Sequence, residues 1–114
     1  MIKYYRLNDN NEVEECDMFQ AEEFLRSERK IVKQEDIGDK FVSTVMLIIC
    51  HDFLGQMKGA NYKPLVFETM VFSSGAPGIE EYCDRYHTYQ EALTGHNAIV
   101  SKLKQGLPLN DIED

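Results

Sequence analysis

A chain of 114 residues with 43% hydrophobic and 11% aromatic content fits one domain around one core, since domain count follows roughly one per 150 residues. Its 20 acidic against 12 basic residues leave a net charge of -8, which repels phosphate backbones and argues against direct binding of nucleic acid. Cys16, Cys50 and Cys83 are an odd set without close spacing, and no apolar run nears the roughly 20 residues that span a bilayer. The expectation is a cytoplasmic protein with reduced thiols, no leader and no membrane partner.

Ile2 to Leu7 carries Tyr4 and Tyr5 among β-favouring neighbours, and Asn8-Asp9-Asn10-Asn11 tolerates turn geometry, so a strand and a turn are predicted. Asp17 with Gln20 three residues on has the form of a capping box, which predicts an amphipathic helix from Met18 to Arg29 with Phe19, Ala21, Phe24 and Leu25 sharing a face. Lys30 to Ile37 and Lys40 to about Cys50 read as strands joined by Gly38-Asp39, the Gly-X form that suits a type II′ turn. The second of these carries apolar residues on both faces and is expected in the middle of a sheet.

His51 to Pro64 is punctuated by Gly55, Gly59, Asn61 and Pro64 and predicts a long connection, a place where function is often carried. Leu65 to Phe72 reads as a strand, Ser73 to Gly78 as a loop and Glu80 to Tyr86 as one more strand. Thr88 with Glu91 repeats the capping pattern ahead of a helix from Tyr89 to Lys104, with Tyr89, Ala92, Leu93, His96, Val100 and Leu103 at helical spacing. Gly106 and Pro108 are placed to stop it. The predicted fold is α+β, a mostly antiparallel sheet of about five strands with two helices on one face. It forms a single domain over 1–105, with an acidic tail over 106–114.

Glu68 falls by alternation beside Val66, Met70 and Phe72. A carboxylate there needs a partner: a base, a hydroxyl such as Thr44 or a tyrosine, a ligand or water. His51 and Asp52 stand where the long apolar strand gives way to the connection, either as a binding or acid/base pair or as a turn-capping Asp beside an exposed His. His87 precedes the last helix and His96 lies on its apolar stripe, as a helix-start and a core residue respectively. Cys50, His51, Cys83, His87 and His96 make a conceivable zinc set, with Cys83-x3-His87 a possible ligand spacing, but no paired CxxC or HExxH pattern supports it, so neither metal nor cofactor is expected. Ser73-Ser74-Gly75 and Gly78 read as an ordinary turn rather than a phosphate cradle. Tyr62, Tyr82, Tyr86 and Tyr89 with Arg85 either line a flat-ring site or fill core.

The stretches Ser43-Thr44-Val45, His51-Asp52-Phe53, Phe67-Glu68-Thr69-Met70-Val71-Phe72, Tyr86-His87-Thr88-Tyr89-Gln90-Glu91-Ala92 and Gly95-His96 together resemble a family of small uncharacterised phage and prophage proteins, from about Val42 to Lys104. The sequence departs from that pattern at Cys50, where the family has an acidic residue, and at Tyr89, where it has a tryptophan. The resemblance implies a homo-oligomer, not an enzyme, made in a bacterial host to counter its defences. It would capture a nucleotide-derived signal without cleaving it. His51, Asp52, Glu68, Arg85, Tyr86 and Tyr89 are the candidate ligand-binding residues. Two alternatives stand beside this: an acidic inhibitor that contacts a host defence protein directly, and an acid/base enzyme using Glu68 and His51.

Overall fold

In the computed structural model, residues 2–50, 63–73 and 80–109 are described. Asn8 makes the first turn: its side-chain oxygen accepts from the backbone N–H groups of Asn10 and Glu12, and Asn11 takes a left-handed φ of 61°. That turn pairs β1 (Tyr4–Leu7) antiparallel with β2 (Val13–Cys16), so a ribbon forms where only one strand was expected. The short, charged Val-Glu-Glu-Cys of β2 carries little β signal of its own; the ladder to β1 supplies it.

Asp17 then caps α1 (Met18–Arg26) with the reciprocal box to Gln20. The helix stops three residues short of the predicted Arg29, because Ser27 takes an extended backbone and starts a single 3-10 turn over Glu28–Lys30. Ala21 and Phe24 are buried, whereas Phe19 is 76% exposed and Leu25 also faces water, correcting the four-residue apolar face. At about 100° per residue, Phe19 and Phe24 cannot point the same way.

The main sheet is antiparallel throughout, in the order β3 (Ile31–Ile37), β4 (Lys40–Met46), β5 (Phe67–Ser73), β6 (Glu80–Tyr86). Gly38 joins the first pair with φ 61°, and Asp39 keeps the ordinary sign, the pattern of a type II′ turn. β4 ends at Met46 rather than near Cys50; beyond it Ile48 and Ile49 pair with the ribbon at Tyr5 and Tyr4 instead. The α+β class holds, but among the described residues six strands lie in sheets of four and two rather than about five in one. The helices divide as well. α2 (Tyr89–Gln105) packs on the four-stranded sheet, while α1 packs against β1.

The inward rows of β4 and β5 explain how α2 is held. Met46 faces Phe67, Thr44 faces Thr69, and Val42 faces Val71. The first pair joins a core with Tyr5, Leu7, Phe24, Cys50, Val66 and Ala92, and the last joins a second with Ile99 and Val100. A polar belt therefore separates two apolar clusters. Gly106, at φ 72°, closes α2 in the left-handed conformation that a residue with Cβ adopts only with strain. Among the described residues no helix is long and apolar enough to cross a membrane.

Candidate functional site

Glu68 has the partner its position demands. The ladder sets it opposite Arg85, whose Nε and Nη2 both lie 3.1 Å from Glu68 Oε2, and Cys83 Sγ stands 3.5 Å from the same oxygen. The carboxylate is 6% exposed at the residue level, so the guanidinium supplies the compensation that burial requires. Thr44, a partner considered for Glu68, lies on the other face of the sheet with His96.

Side chains alternate along a strand, so Tyr86 points away from its neighbour Arg85 and toward α2. Its ring lies against Gly95, where any Cβ would collide with it. Tyr89 meets Phe67 edge-on, ring centroids 6.3 Å apart. The candidates therefore do not converge on one pocket: Glu68 and Arg85 share the face away from α2, Tyr86 and Tyr89 belong to the α2 side, and His51 and Asp52 lie outside the described residues.

Beneath α2 runs a chain of polar groups that local patterning does not reveal as a set. His96, with 0% exposure, holds Glu35 Oε2 through Nε2 at 2.8 Å and the Thr44 hydroxyl through Nδ1 at 2.7 Å. Thr44 in turn meets Thr69 at 2.5 Å. A carboxylate only accepts, so Nε2 carries a proton; with a neutral ring Nδ1 accepts from Thr44, and Thr44 accepts from Thr69. The hydrogen bond from His96 holds the Glu35 carboxyl below its usual range, with Lys33 helping. Next along, burial pushes the Tyr86 phenol up to about 12, and its hydroxyl makes no well-formed hydrogen bond although the Thr69 hydroxyl neighbours it. His, carboxylate and hydroxyl resemble a nucleophile triad in composition, but Thr44 is sealed from any substrate.

Two clefts of about 380 Å³ flank the β1–β2 ribbon. In the one toward α1 the arginines are already engaged: Arg6 with Glu14 at 2.7 Å, and Arg29 with the carbonyls of Leu7 and Asn8. The other opens between the ribbon and the start of α2. Tyr5, Val13, Pro64 and Tyr89 give it apolar walls, and Glu12, Glu15, Lys63 and His87 line it as well. Its volume falls within the range of small-molecule sites, about 300–1,000 Å³.

His87 is fixed in this cleft at two points. Its backbone N–H donates to Glu91 Oε1 at 3.0 Å, the carboxylate reaching past the capping Thr88 rather than closing a full box on it. Its ring Nδ1 lies 2.8 Å from the Lys63 carbonyl, an acceptor only, so Nδ1 is the protonated nitrogen and Nε2 remains. Burial, reinforced by the nearby Glu15 carboxylate, raises Tyr5 above the ordinary phenol range and keeps its hydroxyl protonated.

Of the predicted residues among those described, Tyr89 alone lines this cleft. The others that build it, Tyr5, Glu12, Glu15, Lys63 and His87, come from separate stretches of chain with no shared motif. Among the described residues no group of three or more His, Cys, Asp or Glu side chains is arranged to hold a metal. Cys83 lies beside Glu68 and His87 beside Lys63, so that pair does not form a ligand set. Comparison with known proteins gives no match to any family model, curated protein or solved structure.

Proposed function

We propose that this chain is a non-catalytic binding protein that holds a small nucleotide-like molecule in the cleft between the β1–β2 ribbon and the start of α2. The observation that carries this reading is the cleft itself: about 380 Å³, aromatic and apolar walls from Tyr5, Val13, Pro64 and Tyr89, and a few charged groups among its lining. Such a combination suits a flat ring with polar substituents. Together with the phage resemblance, the role is capture of a nucleotide-derived defence signal, released intact, by a protein that works as a homo-oligomer in the cytoplasm of the bacterial host. The cleft replaces the Glu68–Arg85 pair as the ligand site, since that pair already satisfies itself.

A thermal-shift panel of cyclic and linear nucleotides and ADP-ribose derivatives tests it, with oligomeric mass recorded alongside. A ligand at 100 times its Kd adds about 2.7 kcal/mol when only the folded state binds it. A shift confined to one nucleotide class, with the compound recovered unchanged, is the expected result; recovery of a cleaved compound would make the protein an enzyme.

The exposed face of α1 favours a second reading, an acidic inhibitor that contacts a host protein. Phe19 is 76% exposed there, with Met18 and Leu25 also open to solvent, while Glu22 and Glu23 lie in the same helix. Large apolar side chains on an acidic surface suit a basic-rimmed groove. A panel with no thermal shift, and a host partner lost on Phe19→Asp, would establish this role in place of the first.

A further inference from the structure

Opposite charges that share a cleft usually pair across it, and here they do not. Glu12 and Glu15 belong to the ribbon wall, Lys63 and His87 to the wall facing it. Among the described residues no ion pair joins one wall to the other. Glu12 is engaged by Asn8 Nδ2 at 3.0 Å, which leaves Glu15 as the carboxylate open to a ligand. A carboxylate only accepts hydrogen bonds and an ammonium only donates them. The cleft therefore presents carboxylate acceptors at one side and the Lys63 ammonium donor at the other, with the rings of Tyr5 and Tyr89 and the apolar Val13 and Pro64 between them in its lining.

That polarity discriminates among nucleotides. Guanine has two adjacent donors on one edge, N1–H and the 2-amino group, which one carboxylate accepts in parallel. Adenine and cytosine set an amino donor beside a ring acceptor that a carboxylate repels, and uracil sets one N–H between two carbonyls. We infer that the cleft takes a guanine nucleotide, with the base edge read by Glu15, the phosphate met by Lys63, and a ribose hydroxyl donating to Nε2 of the doubly anchored His87. This rests on the binding role proposed above and adds the ligand class and its orientation.

Calorimetric titration of the full chain with GMP, IMP, UMP and guanosine tests it. GMP should bind most tightly, with IMP, which lacks the 2-amino group, and guanosine, which lacks the phosphate, each about tenfold weaker, the loss that one charge-assisted hydrogen bond predicts. Glu15→Gln should erase the preference for GMP over IMP and keep that for GMP over guanosine; Lys63→Gln should do the reverse. Both side chains are exposed, and the unfolding midpoint of each variant shows that it is folded. UMP binding as tightly as GMP, or Glu15→Gln retaining the guanine preference, would overturn the guanine assignment and leave the small-ligand role standing. Absence of binding by all four overturns the inference, and the wider nucleotide panel then decides the role on its own.

Discussion

His96 and His87 belong to the same helix and its approach, yet the fold uses them in opposite ways. His96 is sealed, and both ring nitrogens are engaged, one by Glu35 and one by Thr44. His87 is anchored through its backbone and Nδ1, with Nε2 left over beside a cleft. The contrast separates a histidine that organises a core from one prepared for a ligand: the first has no donor or acceptor to offer, and the second has one, held in place. Polar groups buried with every partner satisfied rigidify a core, whereas a fixed group with spare capacity at a concave surface is what recognition needs.

Substitution at the two positions should separate them most clearly. His96→Ala removes the ring, opens a cavity between the two apolar clusters and takes one partner from each of Glu35 and Thr44, at a cost of about 3 kcal/mol. His87→Ala touches a partly exposed side chain and should cost under about 1 kcal/mol while weakening nucleotide binding. Urea unfolding of both variants checks this, and equal losses would dissolve the distinction.

Gly95→Ala sharpens the sealed side. Helix propensity alone would favour alanine by about 1 kcal/mol, but the new Cβ falls onto the Tyr86 ring. The half-buried ring lies between β6 and α2 beside a small cavity, and overpacking should win by about 1–2 kcal/mol net destabilisation in the same unfolding assay. Tyr86→Leu, which makes room, should reduce the penalty in a double-mutant cycle.

The smallest effect is that of pH on Glu35. Its folded carboxyl lies below the unfolded value because His96 donates to it, so its contribution is fully present above the ordinary carboxylate range and is lost as pH falls through the lowered folded value. At 27% side-chain exposure the pair is partly screened by water. Thermal midpoints recorded from neutral to acid pH should decline below the carboxylate range, and Glu35→Gln should reduce that decline; an unchanged profile would remove Glu35 from the network's energetics.

Local signals in the chain were legible because they act over a few residues. Asp17 and Gln20 close a capping box, Gly38-Asp39 turns a hairpin, β6 occupies Glu80–Tyr86, and Gly106 ends α2 just beyond the predicted Lys104. β2 escaped notice because Val-Glu-Glu-Cys has too little apolar alternation to announce a strand without β1 beside it. Glu68 was recognisable as a carboxylate in need of a partner, but Arg85 could be chosen over Thr44 only once the β5–β6 register was in place.

The sequence by itself determined an α+β chain whose helices and hairpin start and stop where caps, turn residues and periodicity direct, since those forces reach only along neighbouring peptide units. Tertiary structure alone decided that Glu35, Thr44, Thr69 and His96 meet beneath α2, and that Tyr5, Glu15, Lys63 and His87 border one cleft. These residues come from separate strands, turns and a helix, and what joins them is strand register and the choice of which face each element buries. Both are set by the cooperative burial of the whole core rather than by any short stretch of the chain.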